Sequence, residues 1–282
     1  MLGGRAQLGS IRASPDHSKG LPVHFLQLRC HGSKRLGFSD RNNSMLRAYL
    51  DESGHSADRN ITDVSVCGVV ASHEQWAEFE PKWKNVLQAF GVVQLHMKDF
   101  AHFQGEYQGW NEERRKEFLG SLFKVVNAHS EGNLAATMPL DLFRSLTTEQ
   151  QAMLGGDPYY PCFSACIIGG ATCALHLGDQ IDFVVSQAPG FKGKAVDFYS
   201  RCKNSHAPAD LRDKLAGMKF GTPQTDFPLQ FADLVAYEVN KFVRVARETG
   251  NWIERWPLAQ LKERMLTIEL FDHKTMNERF GF

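Results

Sequence analysis

The sequence predicts an α/β protein with a mixed central sheet flanked by helices. Two observations predict it. Stretches with strand-like apolar patterns are interleaved with stretches of helical spacing. The first strand-like stretch, Met45 to Gly54, is apolar on both faces through Leu46, Ala48, Tyr49 and Leu50, as a strand covered on both sides must be.

That strand ends in two adjacent carboxylates, Asp51 and Glu52, followed by Ser53-Gly54. A pleated strand sends neighbouring side chains to opposite faces, so the two acids are expected not to share a pocket. A carboxylate at the end of a buried strand is costly unless a metal, a donor or water meets it. The plain reading is a turn that leaves the strand. The functional one is a metal-ligand or general-base Asp at a sheet edge.

Ile61 to Ala71 reads as a second strand, with Val64, Val66 and Val70 on one face, forming an antiparallel hairpin with the first. Ser72 and Gln75 fit a capping box, and Trp76, Phe79, Trp83, Val86, Leu87 and Phe90 keep helical spacing up to a C-cap at Gly91. Pro81 is expected to kink or restart that helix. Val92 to Lys98 alternates like a third strand, ending in the polar cluster His96, Lys98, Asp99. After a Gly-containing loop, Asn111 caps a helix with the stripe Phe118, Leu119, Leu122, Phe123, Val126. Leu134 to Leu140 reads as a fourth strand, Asp141 to Met153 as weakly helical, and Tyr159 to Leu177 as a buried helix. Ile181 to Ser186 is a short strand before the turn Gln187-Ala188-Pro189-Gly190. Lys192 to Lys203 reads as a helix and Met218 to Gly221 as an edge strand. Pro228 opens a helix whose stripe is Leu229, Ala232, Val235, Ala236, Val239 and Phe242, while Gln230, Asp233 and Tyr237 share another face.

Three segments follow: a disordered leader or upstream extension over 1–44, a main domain over 45–250, and a C-terminal helical appendage over 251–282 with an amphipathic run from Leu258 to Leu270. Only His24 to Leu28 hints at a strand in the leader. At 43% hydrophobic and 23% charged, the 282 residues suit an ordinary globular core. No apolar run is expected to reach membrane-spanning length, and no secretory signal is visible. The six Cys form no Cys-x-x-Cys pair, so buried free thiols, Cys162 and Cys166 among them, and a reducing cytoplasm are expected. The formal charge is zero, but residues 1–44 hold seven Lys/Arg and two Asp. Subtracting these from 32 and 32 leaves −5 for the rest, which offers no strong electrostatic pull on nucleic acid.

Asp51 on the first strand and Asp233 on the last long helix match a ribonuclease H-like arrangement, in which carboxylates from the central strand and a late helix converge on divalent metal. Hard oxygen donors suit Mg²⁺ or Mn²⁺, and such ions can activate water for phosphodiester cleavage. Tyr49-Leu50-Asp51-Glu52-Ser53-Gly54 and Pro228-Leu229-Gln230-Phe231-Ala232-Asp233-Leu234-Val235-Ala236-Tyr237 resemble the two signature segments of the domain of unknown function 3800. His96-Met97-Lys98-Asp99-Phe100 is similar to its middle segment, and the likeness spans Met45 to Val243. The resemblance implies a ribonuclease H-like fold and a suspected nuclease activity. It marks Asp51, Glu52 and Asp233 as catalytic, Asp51, Asp233 and Asp99 as metal ligands, and Gln230, Lys98 and His96 as substrate contacts. One departure stands out: Ser186 occupies a strand end where members of that family often carry an Asp, and a neutral hydroxyl holds Mg²⁺ weakly.

Three functions are therefore expected to compete. The first is a Mg²⁺- or Mn²⁺-dependent phosphodiesterase or nuclease. The second is a catalytically impaired ribonuclease H-like module that binds a partner in a mobile-element or defence context, which would need a basic strip or apolar patch that the sequence does not show. The third is a hydrolase of a phosphorylated metabolite. The residues show no Gly-rich phosphate loop, no zinc-protease motif and no nucleophile elbow. They do not fix an oligomeric state.

Overall fold

The structure, a computed structural model, describes residues 45–282 apart from 55, 57, 59, 188–191 and 263. The leader over 1–44, Cys30 within it, and most of the turn after Gln187 lie outside the described residues.

The elements in chain order are β1 (Met45–Ser53), β2 (Asp63–Ser72), α1 (His73–Phe90), α2 (Met97–Ala101), α3 (Glu112–His129), β3 (Gly132–Pro139), α4 (Leu140–Ser145), α5 (Thr148–Met153), α6 (Tyr159–Leu177) and β4 (Gln180–Ser186). They continue with α7 (Lys192–Arg201), α8 (Ala209–Arg212), β5 (Leu215–Gly221), α9 (Pro228–Thr249), α10 (Trp256–Lys262), β6 (Met265–Leu270) and α11 (His273–Phe280). One six-stranded sheet has the order β5-β4-β1-β2-β3-β6. The hairpin β1–β2 and the pair β2–β3 are antiparallel, whereas β1–β4, β4–β5 and β3–β6 are parallel.

Central β1 is apolar on both faces because both faces are covered. Leu46, Ala48 and Leu50 pack toward α6, while Tyr49 packs toward α1 and α9. The layer on one side holds α6, α7, α8 and α11; the other holds α1, α3, α9 and α10. Gly170 of α6 lets the helix sit against the sheet, since a methyl there would meet the Phe183 ring at 3.0 Å. Helix α6 is long and apolar enough by length and composition to cross a membrane, against the expectation that no run reaches that length. Its most apolar window is 67% buried inside the fold. Cys162 and Cys166 lie buried on it as free thiols, each donating toward a carbonyl of β2.

Local signals mostly became the elements they announce. Ser72 and Gln75 form both bonds of the capping box, and Gly91 closes α1 in the left-handed region at φ 71°. Pro81 does not restart that helix, which runs unbroken with Pro81 on its exposed side.

Two expectations are corrected. Val92–Lys98 is no strand: Val93 is 77% exposed, and the segment is a loop leading into α2. A strand needs a neighbouring ladder, but here the Val93 and Leu95 amides donate to the side chains of Glu106 and Gln230. The alternation of Leu95 and Met97 is real burial without a sheet. The C-terminal segment is not a helical appendage either. Its amphipathic run splits into α10 and β6, and β6 extends the sheet beside β3.

Candidate carboxylate site

The site lies at the C-terminal end of β1. The parallel register sets Leu50 opposite Val185, so Asp51 runs beside Ser186 at the end of β4, and the Ser186 hydroxyl bonds the Asp51 carboxylate. Gly54 then turns the chain at φ 88°, in contact with the Asp63 carbonyl where any side chain would collide.

Asp233 reaches the same end from α9. Asn240, seven residues further and on the same side of that helix, fixes its rotation by donating to the Ser53 carbonyl at 3.2 Å, the Asp63 carbonyl at 3.0 Å and Ser65 Oγ at 3.1 Å. The Met97 amide at the start of α2 donates to Asp233 Oδ2 at 2.8 Å.

The three acids repel one another. Burial, then the charges of Glu52 and Asp233, push Asp51 well above the usual carboxylate range, against the Ser186 bond. Burial and the charge of Asp233 push Glu52 up to about 7. Burial raises Asp233 to about 6, opposed by the Met97 amide and by His96. Glu52 Oε2 is buried with no hydrogen-bond partner. The charges of Asp51 and Glu52 act on one another at the strand end. They sit where the strand ends, and the Glu52 amide donates to Asp51 Oδ1 at 3.0 Å.

The remaining expected site residues divide. His96 Nδ1 and Asp99 Oδ2 pair at 2.8 Å on the rim, both about half exposed, and both act electrostatically on Asp233. Lys98 is exposed on α2. Gln230 is wholly buried and spent inside the protein rather than turned to a ligand. Its Oε1 accepts from Trp83 Nε1 and the Leu95 amide, each at 2.9 Å, and its Nε2 donates to the Pro223 carbonyl at 2.8 Å. Asp226, another acid near a strand end, holds its own turn by accepting from the Thr222 amide and Thr225 Oγ1. Sequence reasoning missed Tyr159, a buried phenol on α6 that burial and the charges of Glu52 and Asp51 raise. Its core position on an apolar helix gave no signal.

All the donors are hard oxygens, and no Lys or Arg pairs with Asp51, Glu52 or Asp233 among the described residues, which suits a divalent cation. Among the described residues no group of three or more His, Cys, Asp or Glu side chains is set to hold a metal ion.

A central strand ending in an acid, an antiparallel hairpin on one side, a parallel strand on the other, and a late helix bringing a second acid define a mixed α/β sheet flanked by helices. Among solved structures, the chain is similar to ribonuclease HII in its complex with PCNA from Archaeoglobus fulgidus, with 12% identity over 77% of this chain and 87% of that one, at a TM-score of 0.36. It is also similar to Bst-RNase HIII in complex with Mn²⁺, with 11% identity over 85% of this chain and a TM-score of 0.37. A single-site mutant of Bst-RNase HIII matches at 11% identity over the same shares and a TM-score of 0.38. The chain spans 64% of the length of both ribonuclease HIII chains. No family model matches, so the resemblance to the domain of unknown function 3800 remains one of motifs, and no curated protein matches.

Proposed function

We propose that this protein is a Mg²⁺- or Mn²⁺-dependent phosphodiesterase acting on nucleic acid. The observation that carries the reading is the mutual repulsion of Asp51, Glu52 and Asp233, each half-buried and, among the described residues, without a basic partner. Buried like charges are tolerated where a cation completes them. A hard divalent ion bound there would acidify a water and neutralise charge on a phosphate. Asp51 and Asp233 are the ligands in this reading, Asp51 oriented by Ser186 and Asp233 by the Met97 amide. Glu52, with its free oxygen, draws a proton from water or adds a ligand. Asp99 and His96 line the rim.

Ser186 favours a second reading, a ribonuclease H-like module that binds nucleic acid without cutting it. Beside Asp51 it supplies a neutral hydroxyl where another carboxylate would add charge. Mn²⁺ titration of the full chain by calorimetry, beside an Asp51→Asn, Asp233→Asn variant, tests both. Binding in the parent alone, with Mn²⁺-dependent cleavage of a labelled oligonucleotide, supports the phosphodiesterase. Binding without cleavage supports the second reading. Equal binding in parent and variant, or none with substrate present, refutes the carboxylate metal site.

A further inference from the structure

The −5 charge of residues 45–282 hides a local reversal. Asp233, Tyr237, Lys241 and Arg244 of α9 recur at helical spacing and lie within one side of the helix. At about 1.5 Å per residue, Lys241 and Arg244 stand roughly 12 to 16 Å from Asp233, a few nucleotides away. The Lys241 ammonium lies over the Tyr237 ring, 5.7 Å from its centroid.

Two further cations come from outside α9. Arg255, in the segment after the helix, places Nη1 3.2 Å from Glu238 Oε1. Arg115 of α3, its guanidinium 4.6 Å from the Phe103 centroid, is within electrostatic reach of Tyr237, Glu238 and Lys241. The opposing acids are the buried Glu238, the exposed Glu248, which meets Arg244 only at 4.0 Å, and the exposed Glu112, which pairs with Arg115 at 2.7 Å. Four cations thus face three acids, and the crowding of Arg255, Arg244 and Arg115 adds to burial in lowering the Lys241 ammonium below its ordinary range. The segment carrying Arg255 also exposes Trp252 and Trp256 by 42% and 47%. Cations in a segment that also exposes part of two indole rings suit a strand with free bases better than an acidic protein, which offers no rings to stack.

We infer that this side of α9 is a track for single-stranded nucleic acid leading to the carboxylates, with Lys241 and Arg244, joined by Arg115 and Arg255, taking its phosphates. The inference rests on the proposed phosphodiesterase reading for the direction of the track, but the binding itself needs no metal. It also supplies the basic strip that the linear sequence did not show.

The test is fluorescence anisotropy of a labelled dT20 with the full chain in EDTA, across a salt series. Because each neutralised single-strand phosphate contributes a slope of about −0.7 in log K against log salt, Lys241→Gln with Arg244→Gln should cut the slope by about 1.4. The double variant should also weaken binding about tenfold or more at 0.1 M salt, while Lys274→Gln, far off on α11, leaves both unchanged. Circular dichroism and thermal melting of the double variant confirm that it is folded. A parent that does not bind dT20, a slope unchanged in the double variant, or equally tight binding of poly-glutamate would overturn the track. Failure of Mn²⁺ binding with dT20 binding intact would sink the phosphodiesterase reading and leave the track standing.

Discussion

Replacing Gln230 with Met tests the brace that holds the loop before α2. Met keeps roughly the same length but offers no amide. Three groups would lose their partner: the Trp83 indole N–H, the Leu95 amide and the Pro223 carbonyl. Gln230 is 0% exposed, so water does not reach its end of the bonds. Each orphaned buried group costs about 1–3 kcal/mol, and partial relaxation leaves an expected loss of about 3–5 kcal/mol. Domains of ordinary stability hold about 5–15 kcal/mol, so the variant should stay folded with a clearly lower urea midpoint. Urea unfolding followed by tryptophan fluorescence measures the loss, and the Trp83 indole N–H resonance reports the broken bond directly. A loss under about 1 kcal/mol with an unmoved indole resonance would refute the brace and return Gln230 to the role of a ligand contact.

Three other outcomes are expected. In EDTA, Glu52→Gln should flatten the pH dependence of stability. The Glu52 carboxyl titrates at about 7 in the fold against 4.5 ordinarily, so the folded state holds more protons between those values and the parent loses stability as pH rises through that window. Partial exposure reduces the full effect to about 2 kcal/mol near pH 8, and thermal melts running parallel for parent and variant from pH 4.5 to 8 would count against it. Ser186→Asp should tighten Mn²⁺ binding at least about tenfold and lower the melting temperature without metal, since it adds a carboxylate beside Asp51; calorimetry showing unchanged affinity would remove Ser186 from the metal argument. Arg247→Met should cost about 3–5 kcal/mol, because Arg247 bonds Asp63, 1% exposed, as well as Asp141. A melting temperature within a degree of the parent would show that Asp63 finds another partner.

The α/β class, the strand carrying Asp51 and the helix carrying Asp233 were legible in the sequence because their signals are local. Period-two and period-3.6 burial, the Ser72–Gln75 capping box, Gly91 and Pro228 act within a few residues, so the chain states them directly. Val92–Lys98 shows the limit. Its alternation was real, but burial against α9 satisfies the same pattern as a sheet face, and only the partners of the Val93 and Leu95 amides tell the two apart. β6 was hidden likewise, because its neighbour β3 lies more than a hundred residues earlier.

What the sequence determined by itself, then, is which residues are buried, where helices begin and end, and that two acids stand at structurally prominent places. The tertiary structure decided how these meet. It set the charges of Glu52 and Asp233 against Asp51, committed Gln230 to Trp83, Leu95 and Pro223, and gathered Arg115, Lys241, Arg244 and Arg255 from three segments. The physical reason is range. Propensity and capping act along the chain, whereas charge and hydrogen bonding act through space, and their partners exist only once the sheet has closed.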